Sequence, residues 1–345
     1  MWKIIFFVLL ALAVQAKSTW TRWLYNTEIG SGSRSGLLVL YPISGPPGSM
    51  PRCRSLDAAL MQGELTVKEV SEGGDVNRLI VENHGDRPIF IMAGEVLSGA
   101  RQDRILEHDL FLPVDSGEVT VAAFCVEHGR WSYQGSKIKF DSRGTISNAK
   151  VRQAALSTAG QQGVWDSVAE TCKSGGVAAP TQALNAVYED SRLSGRISSM
   201  VANLRDLPDD HPEMNGVVVQ LGNRIVAVDV FPDRRLLISL WPKLLRSYAL
   251  EACLCRAPSG SLSRTQVRNF LSDIAEGPWS SGRTPGDGRL YTLHQGARDG
   301  QALVLDEGLL HLQVLCNERP RIVKPTPIPS PWPPAIEMVK PTRPR

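Results

Sequence analysis

Between Glu64 and Val126 the chain repeats one device, a short apolar run closed by a polar or glycine-bearing break. Glu64 to Val70 alternates apolar and polar residues. Val76 to Glu82 is a second run, closed by Asn83-His84-Gly85-Asp86, and Pro88 to Met92, Ile105 to Leu112 and Val119 to Val126 follow. A period of two puts successive side chains on opposite faces of an extended backbone. Breaks this close leave room for hairpins rather than for helical crossovers, so this region is confined to a mainly antiparallel sheet or barrel-like core. Upstream, Leu37 to Tyr41 predicts another strand, Gly45-Pro46-Pro47-Gly48 a turn, and Ser55 the cap of a short helix reaching Leu60.

The texture changes at Asn148. From there to Arg205, Ala, Gln, Ser, Leu and Glu dominate, and Val164, Trp165, Val168 and Ala169 recur at helical spacing. Gly175-Gly176 and Pro180 interrupt the pattern, Thr181 is a plausible cap for Gln182 to Tyr188, and Leu204 to Pro212 reads as an acidic loop. Strands are predicted again at Val217 to Leu221, Ile225 to Phe231 and Leu236 to Leu240. An amphipathic helix over Trp241 to Ala252, a helical stretch over Leu262 to Ala275 and closing strands at Leu290 to Leu293, Gln301 to Asp306 and Leu309 to Leu315 complete the order. This is an α+β pattern with a central helical insert at about 148–205 and further helices. Short linkers favour a single domain over 17–319, β-rich at 36–147, helical at 148–205 and β/α at 216–316.

Both ends depart from that pattern. Lys3, the unbroken apolar run Ile4 to Val14, and Val14-Gln15-Ala16 before Lys17 read as a signal peptide over 1–16. An uncleaved anchor is the other reading, but the run falls short of the roughly 20 apolar residues of a spanning helix. The mature chain is then expected to be exported, periplasmic or extracellular, with no transmembrane span. Residues 320–345 carry prolines at 320, 325, 327, 329, 331, 333, 334, 341 and 344, with Lys324, Lys340, Arg343 and Arg345, and read as a disordered basic tail. The tail is either solvated or a spacer touching an anionic envelope polymer.

With 38 basic and 35 acidic residues the net charge is +3, too balanced to suggest a nucleic-acid partner. Export would permit disulfides among Cys53, Cys125, Cys172, Cys253, Cys255 and Cys316; the alternative is buried thiols. The cysteine and histidine spacings fit no metal motif, and the absence of a Walker loop, G-x-S-x-G or convincing G-x-G-x-x-G points to no cofactor.

Chemistry concentrates in two segments, GEVLSGARQDR from Gly94 to Arg104 and CVEHGRW from Cys125 to Trp131. Charges at the ends of apolar strands need partners, because desolvating a lone charge is costly. Arg is the bidentate partner of a carboxylate or phosphate. One reading is therefore a ligand site made by Glu95, Arg101, Gln102, Arg104, Glu127, Arg130 and Trp131. The other is an ion-pair lock in which Glu95 or Glu127 holds an arginine. Cys125 shares a strand face with Glu127, which would suit a nucleophile beside a base, but it ends an apolar run and fits the core better. Asp229 lies inside an apolar strand and needs donors, for which Arg235 and Arg246 are candidates.

The segments NHGDRPIFIMAGEVLSGARQDRILEHDLFLP, CVEHGRW, GVVVQLGNRIVAVDVF and LWPKLLRSYALEA resemble a bacterial family, formerly a domain of unknown function, named for its association with ARG and rhodanese-phosphatase-superfamily proteins. The resemblance runs from Gly36 to Cys316 and assigns neither an activity nor catalytic residues. The residues themselves support an exported binding module with a Glu/Arg/Gln pocket for a small polar or anionic ligand. The alternative is an exported hydrolase or transferase working through a Glu95/Glu127 carboxylate pair.

Overall fold

The computed structural model describes residues 19–48, 51–71, 75–129, 140–306 and 308–316. The signal-like segment, the proline-rich tail, Arg130 and Trp131 lie outside the described residues. The chain begins with α1 (Arg22–Tyr25), β1 (Glu28–Ile29), β2 (Ser33–Ser35), β3 (Leu38–Ser44), β4 (Arg54–Ser55) and α2 (Leu56–Met61). A run of strands follows: β5 (Leu65–Glu69), β6 (Arg78–Asn83), β7 (Ile89–Ile91), β8 (Glu95–Gly99), β9 (Arg104–Leu106), β10 (Leu110–Leu112), β11 (Val119–Cys125) and β12 (Phe140–Ile146). The helical part is α3 (Ala149–Leu156), α4 (Gly160–Gly175), α5 (Leu184–Glu189), α6 (Ser191–Leu204) and α7 (Leu207–Asp210). The last part is β13 (Gly216–Leu221), β14 (Arg224–Val230), α8 (Arg234–Leu254), α9 (Arg264–Ala275), β15 (Ser280–Arg283), β16 (Arg289–Gln295), β17 (Arg298–Leu305) and β18 (Gly308–Cys316).

The fold is α+β and mostly antiparallel. The largest sheet has the order β1-β3-β13-β14-β18-β17-β16-β15, with β2 also paired to β3. Strand β3 is covered on both faces, and its sequence shows why. Leu38 and Leu40 face one core with Val217, Val219 and the apolar side of α8, while Val39, Tyr41 and Ile43 face a second with Trp20, Trp23, Val267 and Leu271. Such a strand reads as a continuous apolar run rather than an alternation. A six-stranded sheet, β12-β8-β9-β11-β6-β5, and a three-stranded one, β10-β7-β4, enclose a further core with α2. Only the β4–β7 pairing among these is parallel. Strand β6 shows the half-buried alternation that its sequence predicts, with Leu79, Val81 and Asn83 inward. Helices α3 to α6 and the end of α8 pack over Val96, Ile105, Phe124 and Val126. Among the described residues no helix is long and apolar enough to cross a membrane.

Three expectations need correction. Leu236 to Leu240 is the first part of α8, not a strand. Asp233 caps that helix by accepting the Arg235 N–H at 3.0 Å. Leu237, Leu240, Trp241, Leu244, Leu245 and Tyr248 then line one helical face. Ile105 to Leu112 is two strands in different sheets, because buried Asp109 turns inward and accepts the Ala93 N–H at 2.9 Å. The acidic loop after Leu204 contains α7. The six cysteines form no disulfide with one another, and burial pushes the Cys125 thiol above its ordinary pKa.

Candidate functional site

The β8–β9 hairpin places the sequence candidates. Its register sets Val96 opposite Ile105 and Leu97 opposite Arg104. Glu95 therefore stands at the open end, and Arg101, Gln102 and Asp103 at the turn. The neighbouring strand β11 brings Cys125 opposite Arg104, so Glu127 arrives at the turn end as well. The two polar segments do meet, but Glu95 and Glu127 occupy opposite ends of the hairpin.

At the turn end, Glu127 accepts from the Asp103 N–H and from Thr181 Oγ1, both at 3.2 Å. Gln102 Nε2 donates to the Glu127 carbonyl at 2.9 Å. Arg104, fully buried, donates to Gln102 Oε1 at 3.2 Å and faces Glu69 at 3.7 Å. Asp103 accepts from Asn185 Nδ2 at 2.7 Å, tying the turn to α5. Arg101, at the turn, also has a partner. Cys125 Sγ donates to the Glu127 carbonyl at 3.2 Å.

At the open end the partner of Glu95 is not an arginine. Its carboxylate accepts from Lys243 Nζ and from the Met92 N–H. Lys243 also pairs with Asp57 at 2.8 Å, and Asp57 in turn accepts from Ser142 Oγ. Burial raises the pKa of Glu95. Burial works against the Lys243 ammonium too, but the Glu95 and Asp57 carboxylates outweigh it and hold the lysine charged. A lysine within the apolar sequence of α8 was the available sign of this partner.

A third cluster lies deeper. Asp229 pairs not with Arg235 or Arg246 but with Arg152 at 3.0 Å, and accepts from Tyr248 OH at 2.6 Å. Arg235 caps back onto Asp233, and Arg246 lies over the Tyr188 ring. His311 Nδ1 sits 2.6 Å from Asp109, its Nε2 3.6 Å from Asp229, and its ring stacks on Phe231. Burial opposes the His311 charge, but Asp109 and Asp229 prevail and raise its pKa to about 9. Burial likewise opposes the Asp229 charge, yet Arg152, with His311 and Tyr248, brings its pKa down to about 2. Asp109, Asp229 and His311 have no solvent-exposed side-chain surface, and Arg152 almost none, so the cluster is a lock joining α3, α8, β14 and β18.

An open cleft of about 400 Å³ has a different character. The start of α3, the ends of α4 and α8, and strands β13, β14 and β18 form its walls. Lys150, Lys173, Arg224 and Arg256 line it against two carboxylates, Glu170 and Glu251. Among the described residues, Lys150, Lys173 and Arg256 make no ion pair, and Glu170 is engaged by Ser174 Oγ at 2.9 Å. Glu251 is 6% exposed and accepts through Oε2 from Asn148 Nδ2 at 2.7 Å and from the Lys150 N–H at 3.4 Å. Sequence reasoning missed this cleft, because its charged residues run from position 150 to 256 with no local motif.

No curated protein and no solved structure matches the chain. Residues 26–315, from the approach to β1 to the penultimate residue of β18, match the ARG and Rhodanese-Phosphatase-superfamily-associated Protein domain, and the chain belongs to that family.

Proposed function

We propose that the domain is an exported binding module that takes a small anionic ligand in the cleft between α3, α4 and α8. The supporting observation is the imbalance of charge there: Lys150, Lys173 and Arg256, which make no ion pair among the described residues, stand against two carboxylates that already accept hydrogen bonds within the protein. The cleft volume is in the range that suits a small molecule or the end of an envelope polymer rather than a folded partner. Glu95, Gln102, Arg104 and Glu127 serve on this reading as scaffold, since each is buried and hydrogen-bonded within the protein. The leader-like pattern at Lys3 and Ile4 to Val14 supports export.

Calorimetric titration of the full chain with glutarate tests the reading. Binding is expected, with affinity falling as salt rises, because the cations are near the surface. Lys173→Glu, an exposed change, is expected to weaken it by about tenfold, the effect of about 1.4 kcal/mol. Indifference of glutarate binding to Lys173→Glu, or failure of glutarate and its 2-amino and 2-hydroxy analogues alike to bind, would overturn the assignment.

A further inference from the structure

The buried carboxylate at the floor of the cleft narrows the ligand class. This step rests on the anion-binding reading above. Glu251 lines the cleft at 6% exposure, and both of its protein donors reach the same oxygen, Oε2. Among the described residues, Oε1 makes no hydrogen bond, and no lysine or arginine lies within ion-pair distance of the carboxylate. Oε1 is therefore the oxygen left open to a ligand, on a side chain otherwise withdrawn from water, and an ionised carboxylate in that setting favours a cationic donor. It would also repel a ligand that was anionic throughout. Yet the surrounding Lys150, Lys173 and Arg256 draw negative charge.

We infer that the ligand is a small acidic amino acid or its close analogue, with its ammonium on Glu251 and its carboxylates on the surrounding cations. An ammonium answers both demands at once. It supplies the missing donor to Oε1 and neutralises a charge that is largely removed from water. A hydroxyl supplies only the donor: its bond to the ionised carboxylate is charge-assisted too, but it leaves the negative charge of Glu251 uncompensated. The predominance of cations then favours a second carboxylate on the ligand, so that its net charge remains negative.

Three probes of one carbon skeleton separate the possibilities: racemic glutamate, racemic 2-hydroxyglutarate and glutarate, titrated into the full chain at pH 7. Glutamate is expected to bind at least about tenfold more tightly than glutarate, the gain of one charge-assisted bond. The hydroxy acid is expected between them. Glu251→Gln should close most of the gap between glutamate and glutarate, while glutarate binds as before or more tightly. The ligand series in the unaltered protein decides the matter even if Glu251→Gln, which caps α3, lowers the melting temperature. Glutarate or 2-hydroxyglutarate equalling glutamate overturns the ammonium assignment and leaves the anion-binding reading standing. Failure of all three to bind overturns both.

Discussion

At the scale of single residues, buried charge organises this protein. Asp109, His311, Asp229 and Arg152 alternate in sign through the interior, each within ion-pair distance of the next. Such a set offsets its desolvation only while every partner keeps its charge. His311 is raised from 6.5 to about 9 in the folded state, so its contribution is complete below about pH 6.5 and is lost as pH rises through 9. Asp229 is depressed from 3.8 to about 2, so its contribution is complete above about pH 4 and is lost as pH falls through 2. Urea unfolding across the pH range should show a plateau at weakly acidic pH. It should then decline toward pH 9, by an amount on the order of 3 kcal/mol from the histidine. The decline should flatten in a His311→Asn variant; an unchanged alkaline slope there would assign the effect to another group. Gly94 serves the same cluster in another way. Its φ of +85° and the 2.5 Å that would separate an added Cβ from Arg152 Cγ leave no room for a side chain.

At the scale of elements, the helices show where local sequence is decisive and where it is not. Helix α9 carries its own start signal. Ser263 Oγ accepts the Gln266 N–H at 3.2 Å, and Gln266 Oε1 accepts the Ser263 N–H at 2.9 Å. The reciprocal bonds satisfy two amide donors that the first turn would otherwise leave open. Ser263→Ala is expected to cost about 1 kcal/mol in denaturant titration, and Ser263→Asn much less. Helix α8 is different, because Leu236 to Leu240, near its start, is rich in leucine and isoleucine and suits a strand equally well over a short window. The Asp233 cap and the extension of the apolar face to Ala252 decide for helix. That face brings Lys243 to Glu95 and Tyr248 to Asp229, so one helix serves two of the buried clusters.

At the scale of the whole molecule, the large sheet joins the two ends of the described chain. Strand β3 pairs with β13, and β14 pairs with β18, which joins β1, β2 and β3, all from residues 28–44, to strands supplied from position 216 onward. A fragment ending at residue 147 would leave one edge of β3 open and strip both of its apolar faces of the partners that β13, β14, β18, α8 and α9 supply. Such a fragment is expected not to fold, and the full chain to unfold in one step. Tryptophan fluorescence and far-UV circular dichroism should give coincident melting curves, whereas separated transitions would mean that the β-rich part is independent. The sequence by itself determined the α+β class, most strand positions and the central helical region, because period-two and helical patterning are local consequences of which face is buried. It also determined that the GEVLSGARQDR and CVEHGRW segments carry charges in need of partners. Only the tertiary structure decided who those partners are. Lys243 lies 148 positions from Glu95, and Arg152 lies 77 from Asp229, and no local pattern encodes such distances. The same holds for the cationic cleft, whose walls come from three helices and three strands. Its charge exists as a single field only after the chain has folded, since interactions between charges depend on separation in space and on the water between them.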